Sequence, residues 1–193
     1  MLKFILFLFA FHKYHNDMIL KPQDVFILLK LVALGPQDWT YAYLAQELFM
    51  SVSEVHAGLK RAAAARLLNI NADAPFNKRP IRNALTEFVI HGVKYAYPPV
   101  LGSITRGIPT AYAAAPLANT IIQANNPPPV WPSPEGTVQG FAFSPLYKSV
   151  PKAITKDAKL YELLALTDAI RDSSGRDQNL AIKELSVRIT AAW

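Results

Sequence analysis

The sequence predicts a mainly α-helical chain with a smaller β component (α+β): an N-terminal helical portion, an extended middle segment and a C-terminal helical pair. Three observations predict this. Apolar residues recur at intervals of three and four from Val25 to Ala63 and again from Leu160 to Ile189. Between Pro98 and about Lys152 that period is lost while proline and glycine accumulate. The 193 residues are 51% hydrophobic and 18% charged, which suits one domain with a good core, or two small ones sharing an interface, and excludes wholesale disorder.

The first helix is announced by Lys21-Pro22 ahead of QDVFILLKLVAL. Proline suits the first helical position, and Val25, Leu28, Leu29 and Val32 fall on one face. Gly35-Pro36 ends it. Thr40 can cap a second, short helix, TYAYLAQELF, whose apolar face is Tyr41, Leu44, Ala45 and Leu48. The third begins at MSVSEVHAGLKRA. Ser51 and Glu54 have capping-box spacing, so the serine oxygen can accept from the Glu54 amide while the carboxylate reaches back. Counting about 100° per residue, Val52, Val55, Leu59, Ala62 and Ala63 are expected inside. Ser53, Ala57, Lys60, Arg61 and Ala64 are expected outside.

That outer face is small, polar and basic, as entry into a major groove about 12 Å wide requires. Two helices joined by the tight Phe49-Met50 turn, the second carrying such a face, make a helix-turn-helix. The stretch LAQELFMSVSEVHAGLKRAAAARLL resembles the LA-x-EL … S-x-x-x-V … L-x-R-x … LL pattern of bacterial winged helix-turn-helix regulators of the MarR-like type, over about a third of the chain. The resemblance implies a two-stranded wing lying on the phosphate backbone. Here LLNINADAPFNKRPIR would supply it, with NADAP as the turn and Lys78, Arg79 and Arg82 as charge. Pro75 and Pro80 limit strand pairing and leave two readings: a vestigial wing, or a basic cluster that opens the next helix.

A helix through IRNALTEFVIHGVKYAY follows, with Ile81, Leu85, Phe88 and Val89 as its apolar face, ending at Pro98-Pro99. The middle segment reads as loops and short extended pieces held on a core by Trp131, Phe141, Phe143 and Tyr147. At the end come KDAKLYELLALTDAIRD and GRDQNLAIKELSVRI, joined through Ser173-Ser174-Gly175 and expected to pair antiparallel against the middle segment or another copy of the protein. HGVKYAYPPVLGSITRGIPTAYAAAPL and VWPSPEG also resemble the C-terminal part of some bacterial winged-helix proteins, a likeness that adds no catalytic residue. The expected organisation is an apolar extension (1–17), a winged helix-turn-helix DNA-binding domain (18–80) and a mixed region for oligomerisation or partner binding (81–193).

The extension opens with Lys3 and an apolar run from Phe4 to Phe11, which resembles a secretory signal. His12, Lys13, Tyr14 and His15 follow directly where a small-x-small cleavage site would lie, and the run falls short of the roughly 20 residues that span a bilayer. An upstream extension of the reading frame, with the domain starting at Met18, or an apolar arm is the favoured reading.

The chemistry implied is binding. The chain has no cysteine, which excludes disulfides, thiolate nucleophiles and sulfur-ligated zinc. Its four histidines lack acidic neighbours at metal-ligand spacing, and no phosphate-binding loop, dinucleotide fingerprint, G-x-S-x-G or H-E-x-x-H occurs. No cofactor and no enzymatic activity are expected. A net charge of +6 favours polyanionic partners. The reading is therefore a cytoplasmic, sequence-specific transcriptional regulator that binds double-stranded DNA as a homodimer. Ser53, Ala57 and Lys60 would face base edges; Arg61, Lys78, Arg79 and Arg82 would hold phosphates. His56 is read as a packing residue. Arg106, with the bare backbone of Gly107 and the hydroxyls of Thr110 and Tyr112, forms a second candidate contact, for an anionic ligand, against the alternative of an arginine tying the loop to its own carbonyls. Two alternatives stand beside DNA binding. One is a protein-interaction module, such as the regulatory or antitoxin member of a defence pair, that keeps the fold without specific DNA contact. The other is a membrane-tethered protein using the apolar start.

Overall fold

The computed structural model describes residues 19–69, 78–121 and 126–191. The apolar extension up to Asp17 and the NADAP turn lie outside these residues. The described chain is a mixed α/β structure dominated by helices, and one continuous hydrophobic cluster draws on both the N-terminal and the C-terminal portions. The division at residue 80 therefore does not separate two cores.

Helix α1 (Pro22–Leu34) is the centre of the molecule. QDVFILLKLVAL is apolar nearly all round, so the helix is buried on every side from Asp24 to Val32 rather than along the one stripe that its three-and-four spacing suggests. Each fully buried Phe, Ile or Leu side chain contributes about 1.5 to 3 kcal/mol relative to an exposed one. Around α1 pack α2 (Tyr41–Leu48) and α3 (Val52–Ala64). Thr40 Oγ1 accepts from the Tyr43 amide and caps α2 as expected. The α2–α3 turn reverses through Phe49, which adopts a left-handed conformation (φ 52°, ψ 46°). A short antiparallel pair follows, β1 (Leu68–Asn69) with β2 (Arg79–Pro80), in register Leu68 to Pro80 and Asn69 to Arg79.

Helix α4 starts as Arg82–Glu87, passes through a π-helical stretch at Phe88–Gly92 and ends as Val93–Ala96. Leu85, Val89 and Val93 are its buried row, and Ile81 is exposed. The middle segment forms three strands, each paired with the other two: β3 (Leu101–Pro109), β4 (Pro129–Pro132) and β5 (Val138–Phe143). β3 runs antiparallel to both, and β4 and β5 are parallel. Such close closure needs bare backbone: a Cβ at Gly107 would lie 2.3 Å from the Trp131 carbonyl oxygen.

A short helix α5 (Val150–Ala153) and a 3-10 turn (Ile154–Lys156) lead into α6 (Ala158–Asp172) and α7 (Gly175–Thr190). Gln178 Nε2 donates to the Ile170 carbonyl and Arg188 Nε reaches Glu162 at 2.7 Å, so α6 and α7 are antiparallel as expected. Ala181, Leu185 and Ile189 are the buried row of α7.

Three buried ionic groups lock these elements. Asp24 and Arg61 join α1 to α3. Lys30 is 3% exposed and reaches Glu47 on α2 at 2.9 Å and Asp157, ahead of α6, at 2.8 Å. Burial opposes its charge, yet the two carboxylates outweigh this and hold the ammonium above its usual range. Asp168 on α6 is enclosed by the strands. Its Oδ2 accepts from Trp131 Nε1 at 2.7 Å and Thr110 Oγ1 at 2.9 Å, while Oδ1 accepts from Arg171 Nη1 at 2.6 Å. Arg171 donates further to the carbonyls of Tyr97 and Ser144 and stacks 5.4 Å from the Phe143 ring centroid. Burial pushes the Asp168 carboxyl upward against the pull of its donors.

Candidate nucleic-acid interface

The open flank belongs to α3. Ser51 is its N-cap, with the reciprocal box that the spacing predicts: the Ser51 amide donates to Glu54 Oε2 at 2.9 Å and the Glu54 amide to Ser51 Oγ at 3.2 Å. Ser53, His56, Lys60 and Ala64 are exposed, and Ala57 is half-buried among them. His56 thus belongs to the open flank, not to the packed side, and its ring lies 5.4 Å from the Tyr41 ring.

Arg61 is the main correction. It is only 6% exposed, and its guanidinium grips Asp24 in a bidentate pair, Nε to Oδ2 at 2.7 Å and Nη2 to Oδ1 at 2.6 Å. The reason lies in the helix packing. A Cβ at Gly58 would stand 2.6 Å from Ile27 Cδ1 and 2.9 Å from Asp24 Oδ1, so α3 meets α1 at its glycine. This turns the buried arc roughly a sixth of a turn from the one expected. Arg61 moves inside, and Val52, expected inside, is half exposed at 50%.

The remaining predicted phosphate contacts are also engaged within the chain. Arg79 donates to the carbonyls of Gly35 and Gln37 through Nη1 and to that of Pro36 through Nη2, closing the loop after α1. Arg82 donates to the Ala191 carbonyl. Lys78 donates to the Tyr41 hydroxyl and sits 5.1 Å from that ring centroid. Their charge persists, but these donors serve the fold.

The second candidate site does not assemble. Thr110 is fully buried on Asp168, Gly107 faces the Trp131 carbonyl, and Arg106 is exposed on β3 with its backbone carbonyl accepting from Ser133. Among the described residues no group of three or more His, Asp or Glu side chains is placed to hold a metal ion, and no helix is long and apolar enough to cross a membrane.

Sequence reasoning missed the link between Glu54 and Tyr147. Glu54 Oε1 accepts from the Tyr147 hydroxyl at 2.6 Å, which ties the first turn of α3 to the C-terminal portion. This bond, with the Ser51 amide and hydroxyl, lowers the carboxyl to about 2, and the same bond pushes the Tyr147 phenol up to about 12. The depressed acid contributes stability that is present above the ordinary value of 4.5 and is lost as pH falls toward 2. In an NMR titration of side-chain carboxyl carbons, Tyr147→Phe should move the Glu54 midpoint upward. It should also shrink the acid-dependent loss of stability across that window. An unmoved midpoint would show that the phenol does not hold the carboxylate.

Compared with protein-family models, with curated proteins and with solved structures, the chain matches none.

Proposed function

We propose that this protein is a sequence-specific DNA-binding transcriptional regulator of winged-helix architecture, working in the cytoplasm, with α3 entering the major groove. The observation that carries this reading is the exposed flank of α3, where Ser53, His56, Ala57 and Lys60 present short polar, aromatic and cationic groups beside one another. The order of elements supports it: a supporting helix, two helices about a tight turn, then a short antiparallel pair. Its action is occupancy of an operator, as a homodimer spanning half-sites about 34 Å apart.

A gel-shift assay on the DNA upstream of its own coding sequence tests the reading. Ser53→Ala with Lys60→Ala should lower discrimination between bases by about 1 to 3 kcal/mol for each side chain that reads a base edge, while the fold stays intact. Unaltered affinity and preference in that double variant would overturn the assignment of the α3 flank.

One observation favours a second reading, a protein-interaction module such as the regulatory or antitoxin member of a defence pair. Arg61, Lys78, Arg79 and Arg82 are engaged inside the chain, which removes much of the expected phosphate-binding surface. A module of that kind would retain its protein partner when Ser53 and Lys60 are replaced.

A further inference from the structure

The stretch from Tyr147 to Asp157 runs along the α2–α3 turn and is fastened to it at three points. Tyr147 donates to Glu54 at the start of α3, Ser149 Oγ donates to the Leu48 carbonyl at 2.6 Å at the end of α2, and Lys30 joins Asp157 to Glu47. Its inner face is apolar, with Val150, Pro151, Ala153 and Ile154 buried. Its outer face holds Lys148, Lys152, Thr155 and Lys156, all exposed. Lys148 lies in the turn before α5, Lys152 on α5 and Lys156 in the 3-10 turn after it, so the three cations follow one another along the solvent side of this stretch. The carboxylates that border them already have partners: Glu47 and Asp157 are bound to Lys30, and Glu54 accepts from Ser51 and Tyr147, with Lys148 close enough to favour its charge and 5.8 Å from the Tyr147 ring centroid. Among the described residues, none of the three lysines is paired with an acid.

We infer that Lys148, Lys152 and Lys156 form a phosphate-binding ridge that holds the DNA backbone beside the groove entered by α3. The inference rests on the DNA-binding reading and deepens it. A recognition helix contacts base edges through its N-terminal residues, so the backbone flanking the groove passes close to that end and to the preceding helix. The ridge is anchored at both places. Half to two-thirds of protein–DNA hydrogen bonds go to phosphate and sugar, and with Lys60 assigned to a base edge other donors must supply them. Lysine on a flexible stem, a mobile point charge, suits such sequence-independent contact. The C-terminal portion thereby provides the positioning contacts that the N-terminal arginines, folded inward, do not.

The test uses the full chain carrying Lys148→Gln, Lys152→Gln and Lys156→Gln, with Lys183→Gln on α7 as the control. Binding to a labelled random-sequence duplex is measured across a salt series, and the melting midpoint checks the fold. The triple variant should flatten the slope of log affinity against log salt by about 2.7 per protomer, at about 0.9 per phosphate contact, while Lys183→Gln leaves it unchanged. An unchanged slope in a triple variant, with wild-type DNA binding intact, overturns the ridge and leaves the α3 reading standing. Failure of the wild-type chain to bind DNA even at low salt overturns both. If the triple variant loses binding to phosphatidylserine vesicles but keeps the DNA slope, the lysines serve a membrane surface and the inference falls.

Discussion

Replacing Asp168 with alanine is expected to cost about 3 to 5 kcal/mol of folding stability, a large share of the roughly 5 to 15 kcal/mol that holds a domain of this kind together. The carboxylate is 1% exposed and fully used, one oxygen by Trp131 and Thr110 and the other by Arg171. Alanine would leave a buried guanidinium without its counter-charge and two donors without an acceptor. The three-stranded unit would lose its main polar tie to α6. Arg171→Ala should cost a comparable amount, and the double variant less than the sum of the two, since both single changes break one network. Urea unfolding measures this directly. An Asp168→Ala protein within about 1 kcal/mol of wild type, the range of an ordinary surface change, would show that the cluster is not buried as described.

Arg61→Ala should be nearly as damaging, for a reason unrelated to DNA. Removal of the guanidinium leaves the Asp24 carboxylate, which is wholly enclosed and already pushed upward by its burial, with only the Lys21 amide and no counter-charge, and the expected loss is again about 3 to 5 kcal/mol. Arg61→Lys should not restore the loss, because a single ammonium cannot reproduce the two parallel hydrogen bonds to Oδ1 and Oδ2. Lys60→Ala, one residue earlier and exposed, should stay within about 0.5 kcal/mol of wild type. Thermal melts of the three variants separate the roles of these adjacent cations. An Arg61→Ala protein that melts like wild type yet binds DNA poorly would put Arg61 back on the outer face.

The contrast between Lys60 and Arg61 shows what is legible in the sequence. Helix starts are readable because caps act locally: Pro22, Thr40 and the Ser51–Glu54 box need only neighbours within a turn, and the structure places them as expected. The buried row of α7 is readable because Ala181, Leu185 and Ile189 stand out against a polar background. The orientation of α3 is not, because it is set by a partner 37 positions away. Nothing within VSEVHAGLKRA says that its glycine will be pressed on Ile27 or that Asp24 will claim the arginine. Charge alone is a poor sign of exposure. The same inference sends Lys78, Arg79 and Arg82 to a duplex, whereas nearby carbonyls and a phenol engage them. The three strands are legible only as extended pieces. Their pairing depends on close backbone approach at two glycines, Gly107 against Trp131 and Gly140 against Pro128, which decides the register.

The central position of α1 carries a consequence for how such a molecule could be divided. One end of this rod neutralises the arginine of α3 and the other grips both a helix after it and the chain beyond residue 150. Cutting after the second strand would therefore not release an autonomous N-terminal domain: it would strip hydrocarbon from a rod that has no side made for water. Helix α3 and the remainder stand or collapse as a single cooperative unit.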